Sequence, residues 1–207
     1  MPLYDEVKSL AREKRQLYGV STAGLNLNVV RRIYREEGIK IDHWKFGRTI
    51  RAVYMCDDGD PSVAVNESLP REPKLFSLVH ELKHHYLDRN LIENGQIKCG
   101  DYNANELIEK SAEVFAAEFI YPEEEFLALV ERFQIQTGAC TKEQVVHLKQ
   151  SALACISYQF LQKRLTRFGF APPEGFGKVQ FKKLEEALYG TPIYKQEWFR
   201  AKRASGR

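Results

Sequence analysis

The stretch "SLVHELKHHYLDR", residues 77–89, gathers three of the chain's five histidines into six positions. His80 and His84 stand four apart, with Glu81 directly after the first. An α-helix turns once in about 3.6 residues, so positions i and i+4 lie within about 40° of each other on one face. Two imidazoles placed that way can hold a single metal ion, and the carboxylate beside the first can act as general base on a water that the ion acidifies. With five histidines in 207 residues, chance yields about 0.01 H-E-x-x-H matches, so the neighbours must add weight. Leu75, Val79, Leu82 and Tyr86 form one apolar stripe, and Phe76 and Leu87 fall on a second face beside His80 and His84. A helix apolar on more than one side is sandwiched in a fold, unlike a solvated helix that happens to carry histidines. Consecutive residues are about 100° apart, so His85 is expected to point away from the pair as a partly exposed polar residue. Lys83 is expected to face solvent or a substrate groove.

A catalytic zinc takes three protein ligands and keeps a fourth position for water. Residues 85–90 read "HYLDRN", which excludes the short H-E-x-x-H-x-x-G-x-x-H spacing. His147 lies 63 residues beyond His84 and would have to be brought in by the fold. The segment "NELIEKSAEVFAAEFIYP", residues 105–122, is a nearer source, with Glu106, Glu109, Glu113 and Glu118 on a long helical pattern. Glu109 and Glu113 are one turn apart on the same side. One could be the ligand and the other an orienting group behind it, and spacing alone does not choose between them.

Composition bounds the rest. A chain of 207 residues with 43% hydrophobic and 29% charged residues is an ordinary globular protein, large enough to fold without a disulfide or a metal. A net charge of +3 is too weak to argue for nucleic acid. Cys56, Cys99, Cys140 and Cys155 form no C-x-x-C pair, which fits buried thiols in a reducing compartment better than a Cys₄ site. No apolar run reaches the roughly 18 residues of a membrane span, and the first residues carry no signal-peptide core, so a cytoplasmic location and no membrane contact are expected. Helices are expected over residues 3–17 and about 25–37, the second started by Ser21 and Thr22 and stopped by Gly38. "RTIRAVYMC" and "SVAVN" read as strands around the turn "DDGDP". Further helices are expected at 105–121, at 122–132 and on either side of 155–157, with a charged helix in the tail from Ala171.

Three segments, in order, resemble the ImmA/IrrE-type zinc metallopeptidases: "VAVNESLPREPKLFSLVHELKHHYL", "EKSAEVFAAEFIYP" and "ISYQFLQKRLTRFG". The resemblance covers roughly residues 25–168. It implies Zn2+ held by His80, His84 and Glu109, with Glu81 as catalytic base, which leaves Glu113 as the orienting carboxylate that the spacing offers. Lys83 stands where that family commonly has glycine, Glu113 where it has asparagine and Tyr121 where it has methionine; none of these removes a ligand or the base. The implied fold class is α+β: a small zincin-like core, mostly helical with a short antiparallel sheet, and a helical, helix-turn-helix-like C-terminal part. The expected organisation is an N-terminal helix at 1–24, a metallopeptidase core at 25–132, the helix-turn-helix-like part at 133–170 and a basic extension at 171–207. The implied activity is endopeptidase cleavage of a separately encoded helix-turn-helix repressor, relieving repression in a mobile element or stress response. A rival of another class is a non-catalytic zinc-containing regulator that binds a repressor or DNA. Direct DNA contact would fall to Gln162, Lys163, Arg164 and Arg167 and to the basic tail. Tyr102, Tyr121, His147, Tyr158, Arg164 and Arg167 are conceivable oxyanion-stabilising groups, with nothing in the sequence to choose among them.

Overall fold

The hairpin around Gly59 sets the sheet. Asp58 (φ 46°) and Gly59 (φ 81°) both take left-handed backbone, the requirement of a tight two-residue turn that matches the twist of its strands. It joins β2 (Ala52–Asp57) to β3 (Asp60–Asn66) as an antiparallel pair with Tyr54 opposite Val63. A further strand, β1 (Lys40–Trp44), runs parallel to β3 on its other side, so the order is β1-β3-β2 and the sheet is mixed. The antiparallel hairpin was expected and the parallel strand was not. β1 is an edge strand whose residues are almost all exposed, so "KIDHW" carries no two-residue alternation. The computed structural model describes residues 2–47, 49–97, 105–192 and 195–196; Cys99, Tyr102 and most of the basic tail lie outside them.

The chain divides into two units, Met1–Ala128 with Ala152–Ser157 and Leu129–Ser151 with Tyr158–Arg207. In the first, α1 (Pro2–Leu17) packs along α5 (Glu106–Ile120). Val7, Ala11 and Arg15 make its buried line at a spacing of four, while Leu17 points outward. Arg15 donates to the carbonyl of Phe119 and to Thr22 Oγ1 (2.9 Å), which supplies a partner to a carbonyl in the last turn of α5. Helix α2 (Leu27–Glu36) begins later than expected. Asn26, not Ser21 or Thr22, is its cap, accepting from the amides of Asn28 and Val29, and Gly38 (φ 70°) follows its end.

Helix α3 (Arg71–Lys83) has Pro73 in its first turn, where a missing N–H costs little. It packs against α2, α5, β2 and β3, and Leu75, Leu78, Val79 and Leu82 are each no more than 2% exposed. The first apolar stripe is thus enclosed, whereas the expected second face is not: Phe76 is half-buried and Leu87, beyond the end of α3, is 49% exposed. Tyr34 of α2 donates its hydroxyl to the Leu78 carbonyl (2.6 Å) within this core. Tyr34→Phe is expected to lower stability by about 1 kcal/mol, seen as a lower denaturant midpoint at unchanged slope; an unchanged midpoint contradicts the bond's contribution. After α3 the chain makes one widened π-helical turn, His84–Asp88, before the short α4 (Arg89–Glu93). Helix α6 (Glu123–Arg132) follows α5, with Glu118 Oε2 accepting from the Glu123 amide (3.0 Å) at its start.

In the second unit α7 (Lys142–Ser151) packs on both α8 (Tyr158–Arg167) and α9 (Phe181–Tyr189). Thr141 and Gln144 exchange side-chain and backbone hydrogen bonds (2.8 and 3.2 Å), a capping box at the start of α7. Val145, Val146, Leu148, Leu161 and Leu165 are buried, and Tyr158 stacks on Phe181 with ring centroids 4.9 Å apart. The architecture is α+β.

Candidate metal centre

His80 and His84 project from one face of the α3 end, as their spacing of four requires. Helix α5 packs beside them and offers Glu109 from its first turn. His80 Nε2 and His84 Nε2 are 3.3 Å apart, and His80 Nε2 lies 3.1 Å from Glu109 Oε2. His84 Nε2 is 3.8 Å from Glu109 Oε1. Zinc bonded to nitrogen and oxygen at about 2.0–2.1 Å in a tetrahedron separates its ligand atoms by about 3.3 Å. Two of the separations, 3.1 and 3.3 Å, are close to that edge, and the third, to the other Glu109 oxygen, is longer at 3.8 Å. Among the described residues, His80, His84 and Glu109 are the group of this kind, each with one ligand atom within 4.8 Å of the others'. His147, by contrast, belongs to the second unit and bonds through Nδ1 to the Tyr189 hydroxyl (2.6 Å).

The electrostatics suit a cation. Burial works against a charged His80, but its hydrogen bond to Glu109 and the negative charges of Glu81, Glu109 and Glu113 outweigh that and raise its pKa. Glu81 is 5% exposed, and burial raises its pKa against the opposing pull of His80 and His84. Its Oε2 accepts from the Tyr54 amide (2.9 Å), which lies on the side of β2 turned away from β3. The general-base candidate is therefore held by a backbone donor, with its carboxylate beside both histidines. Glu113 sits one turn along α5, half-buried, and acts on His80 through its charge.

Two expectations are corrected here. Lys83 does not face solvent. It is 2% exposed, and its Nζ donates to Asp88 Oδ2 (2.7 Å) and to the Ile108 carbonyl (3.2 Å). His85 does point away from the pair, but it is 8% exposed, with Nδ1 3.0 Å from the Tyr54 hydroxyl and Nε2 3.6 Å from Glu37. The π-helical turn accounts for the Lys83–Asp88 contact, whereas His85 is buried by its contacts with Tyr54 and Glu37. In an α-helix residues five apart lie about 140° apart around the axis, whereas a wider turn brings them to one side, so Lys83 and Asp88 meet.

Asp88 is the residue that sequence reasoning missed. Its Oδ2 is 2.7 Å from His84 Nδ1, the partner that fixes a metal-binding imidazole's tautomer and orientation. The available signal was His-x-x-x-Asp, an i, i+4 pair within the quoted stretch.

Residues 35–166, more than half of the chain, match the M78 peptidase family, described as the IrrE N-terminal-like domain. The chain belongs to this family. No curated protein matches it. The matched range runs from the end of α2 through α8 and includes both histidines, Glu81, Asp88 and Glu109. Membership of the M78 peptidases supports a metallopeptidase-like domain, and the His80, His84 and Glu109 cluster is the part of that domain suited to a metal. No helix of the described residues is long and apolar enough to cross a membrane. On α8, Arg164 is 5% exposed, with its guanidinium 5.1 Å from the Phe168 ring centre, whereas Lys163 and Arg167 are exposed.

Proposed function

We propose that this protein is a zinc-dependent endopeptidase with His80, His84 and Glu109 as metal ligands and Glu81 as general base. The observation that carries the reading is the ligand cluster: His80 Nε2 lies 3.3 Å from His84 Nε2 and 3.1 Å from Glu109 Oε2, close to tetrahedral-edge distances, with a buried carboxylate beside them. Zinc bound there would polarise a peptide carbonyl and bring the pKa of its water toward about 7. Glu81 takes the proton of the attacking water and delivers it to the leaving amide nitrogen. The Tyr54 amide keeps the carboxylate aimed at the site. Asp88 accepts from His84 Nδ1–H, which leaves the Nε2 lone pair facing His80 and Glu109. Glu113 adds negative charge behind the cluster.

The substrate proposed is a cytoplasmic helix-turn-helix repressor encoded as a separate chain. The family's resemblance to repressor-directed peptidases supports it. Burial of Arg164 between rings weighs against α8 as a DNA-reading helix, since one of its four candidate polar contacts is consumed in packing. The test incubates the zinc-loaded protein with the repressor encoded beside its gene. Cleavage at one position, abolished by a chelator and restored by zinc, is expected. An intact repressor that stays bound to the zinc-loaded protein contradicts the peptidase and favours the non-catalytic regulator.

A further inference from the structure

Resting on that reading of the metal centre, we propose that the buried Lys83–Asp88 ion pair is its positioning unit, joining the histidine helix to the helix that bears Glu109. Both side chains are almost completely buried, Lys83 at 2% and Asp88 at 5% exposed. Such a pair is a poor source of stability, because desolvating two charges offsets their attraction and a well-packed apolar pair of similar volume is often at least as stable. What the pair does is tie parts together. A single oxygen, Asp88 Oδ2, lies 2.7 Å from Lys83 Nζ and 2.7 Å from His84 Nδ1. The same ammonium donates at 3.2 Å to the carbonyl of Ile108, whose peptide is bonded directly to Glu109.

One lysine therefore reaches two of the three ligands, His84 through Asp88 and Glu109 through the backbone beside it. A glycine at position 83 would have no reach to either. The π-helical turn His84–Asp88 is what makes this possible, since it moves Asp88 under both Lys83 and His84. With the pair in place, the spacing between Glu109 and the histidines is set by two charged hydrogen bonds in addition to the packing of the helices.

Zinc affinity, measured by competition with a chelator, and the absorption spectrum of the Co2+-loaded protein test the pair without recourse to activity. Lys83→Met is expected to weaken zinc binding about 10–100-fold, the usual effect of losing an outer partner of a metal ligand, and to alter the Co2+ bands as the tetrahedron distorts. Because that variant strands the Asp88 charge, the double variant Lys83→Met/Asp88→Asn is measured beside it. It has no uncompensated buried charge and is expected to fold like wild type while binding zinc at least about tenfold more weakly. A folded double variant with wild-type affinity and Co2+ spectrum overturns the pair's role while the metal centre stands. Wild type that takes up no zinc overturns the metal-centre reading and the pair's role together.

Discussion

Glu81→Gln protein is expected to bind zinc as tightly as wild type and to cleave its substrate about 10²–10⁴-fold more slowly, the range for losing a positioned general base. Glutamine preserves the shape of the side chain, and its carbonyl oxygen can still accept from the Tyr54 amide at the position Glu81 Oε2 occupies. What disappears is the ability to take a proton. The substitution also removes a buried charge. Glu81 has a pKa raised by burial above its unfolded value, so folding favours its protonated form. Stability contributed by a group of that kind is present below its unfolded pKa and lost as pH rises through its folded pKa. The metal-free Glu81→Gln protein is accordingly expected to melt at a higher temperature than metal-free wild type at neutral pH. A variant that keeps full cleavage activity contradicts the role given to Glu81, and one that loses zinc would show that Glu81 is itself a ligand.

The second large effect is expected at the ligands. His80→Ala, His84→Ala and Glu109→Ala should each weaken zinc binding by at least about a hundredfold, since each would remove one of three protein bonds to the ion, a larger loss than the roughly 10–100-fold of an outer partner. Glu113→Ala should cost no more than about tenfold, because its carboxylate lies one helical turn along α5 from Glu109 and acts on His80 through its charge. Equilibrium titration with zinc against a chelator measures all four. If Glu113→Ala loses zinc while Glu109→Ala retains it, the two acids have been given each other's roles.

Much of the site was legible in residues 77–89 because helix geometry is local. His80 and His84 share a face wherever a helix forms, and Glu81 follows. The choice between Glu109 and Glu113 was not local. Both lie on the same side of α5, and only the crossing of α5 over α3 places the first near His80 Nε2. Lys83 and His85 were misjudged for a related reason. The turns of an ideal α-helix send Lys83 away from Asp88, but the chain widens to a π-helix from His84 onward. Nothing in "HHYLD" announces that change, and the burial of His85 depends on Tyr54 and Glu37, which are remote in sequence.

The same distinction holds for the fold. The hairpin was visible from "DDGDP" because Asp58 and Gly59 supply the positive φ that its turn needs. Strand β1 was not, because its pairing with β3 is parallel and remote, and its side chains are mostly exposed. Pro73 and the Thr141–Gln144 box mark helix starts by their own chemistry. The start of α2 was placed too early, at Ser21 and Thr22, because the capping side chain of Asn26, which accepts from the Asn28 and Val29 amides, was passed over.

X-ray absorption at the zinc edge of the wild-type protein tests the central claim most directly. One zinc per chain is expected, with nitrogen and oxygen neighbours at about 2.0–2.1 Å and the multiple-scattering signature of two imidazoles, both lost in the His80→Ala/His84→Ala variant. A protein without zinc, or one whose zinc has sulfur neighbours at about 2.3 Å, would contradict it.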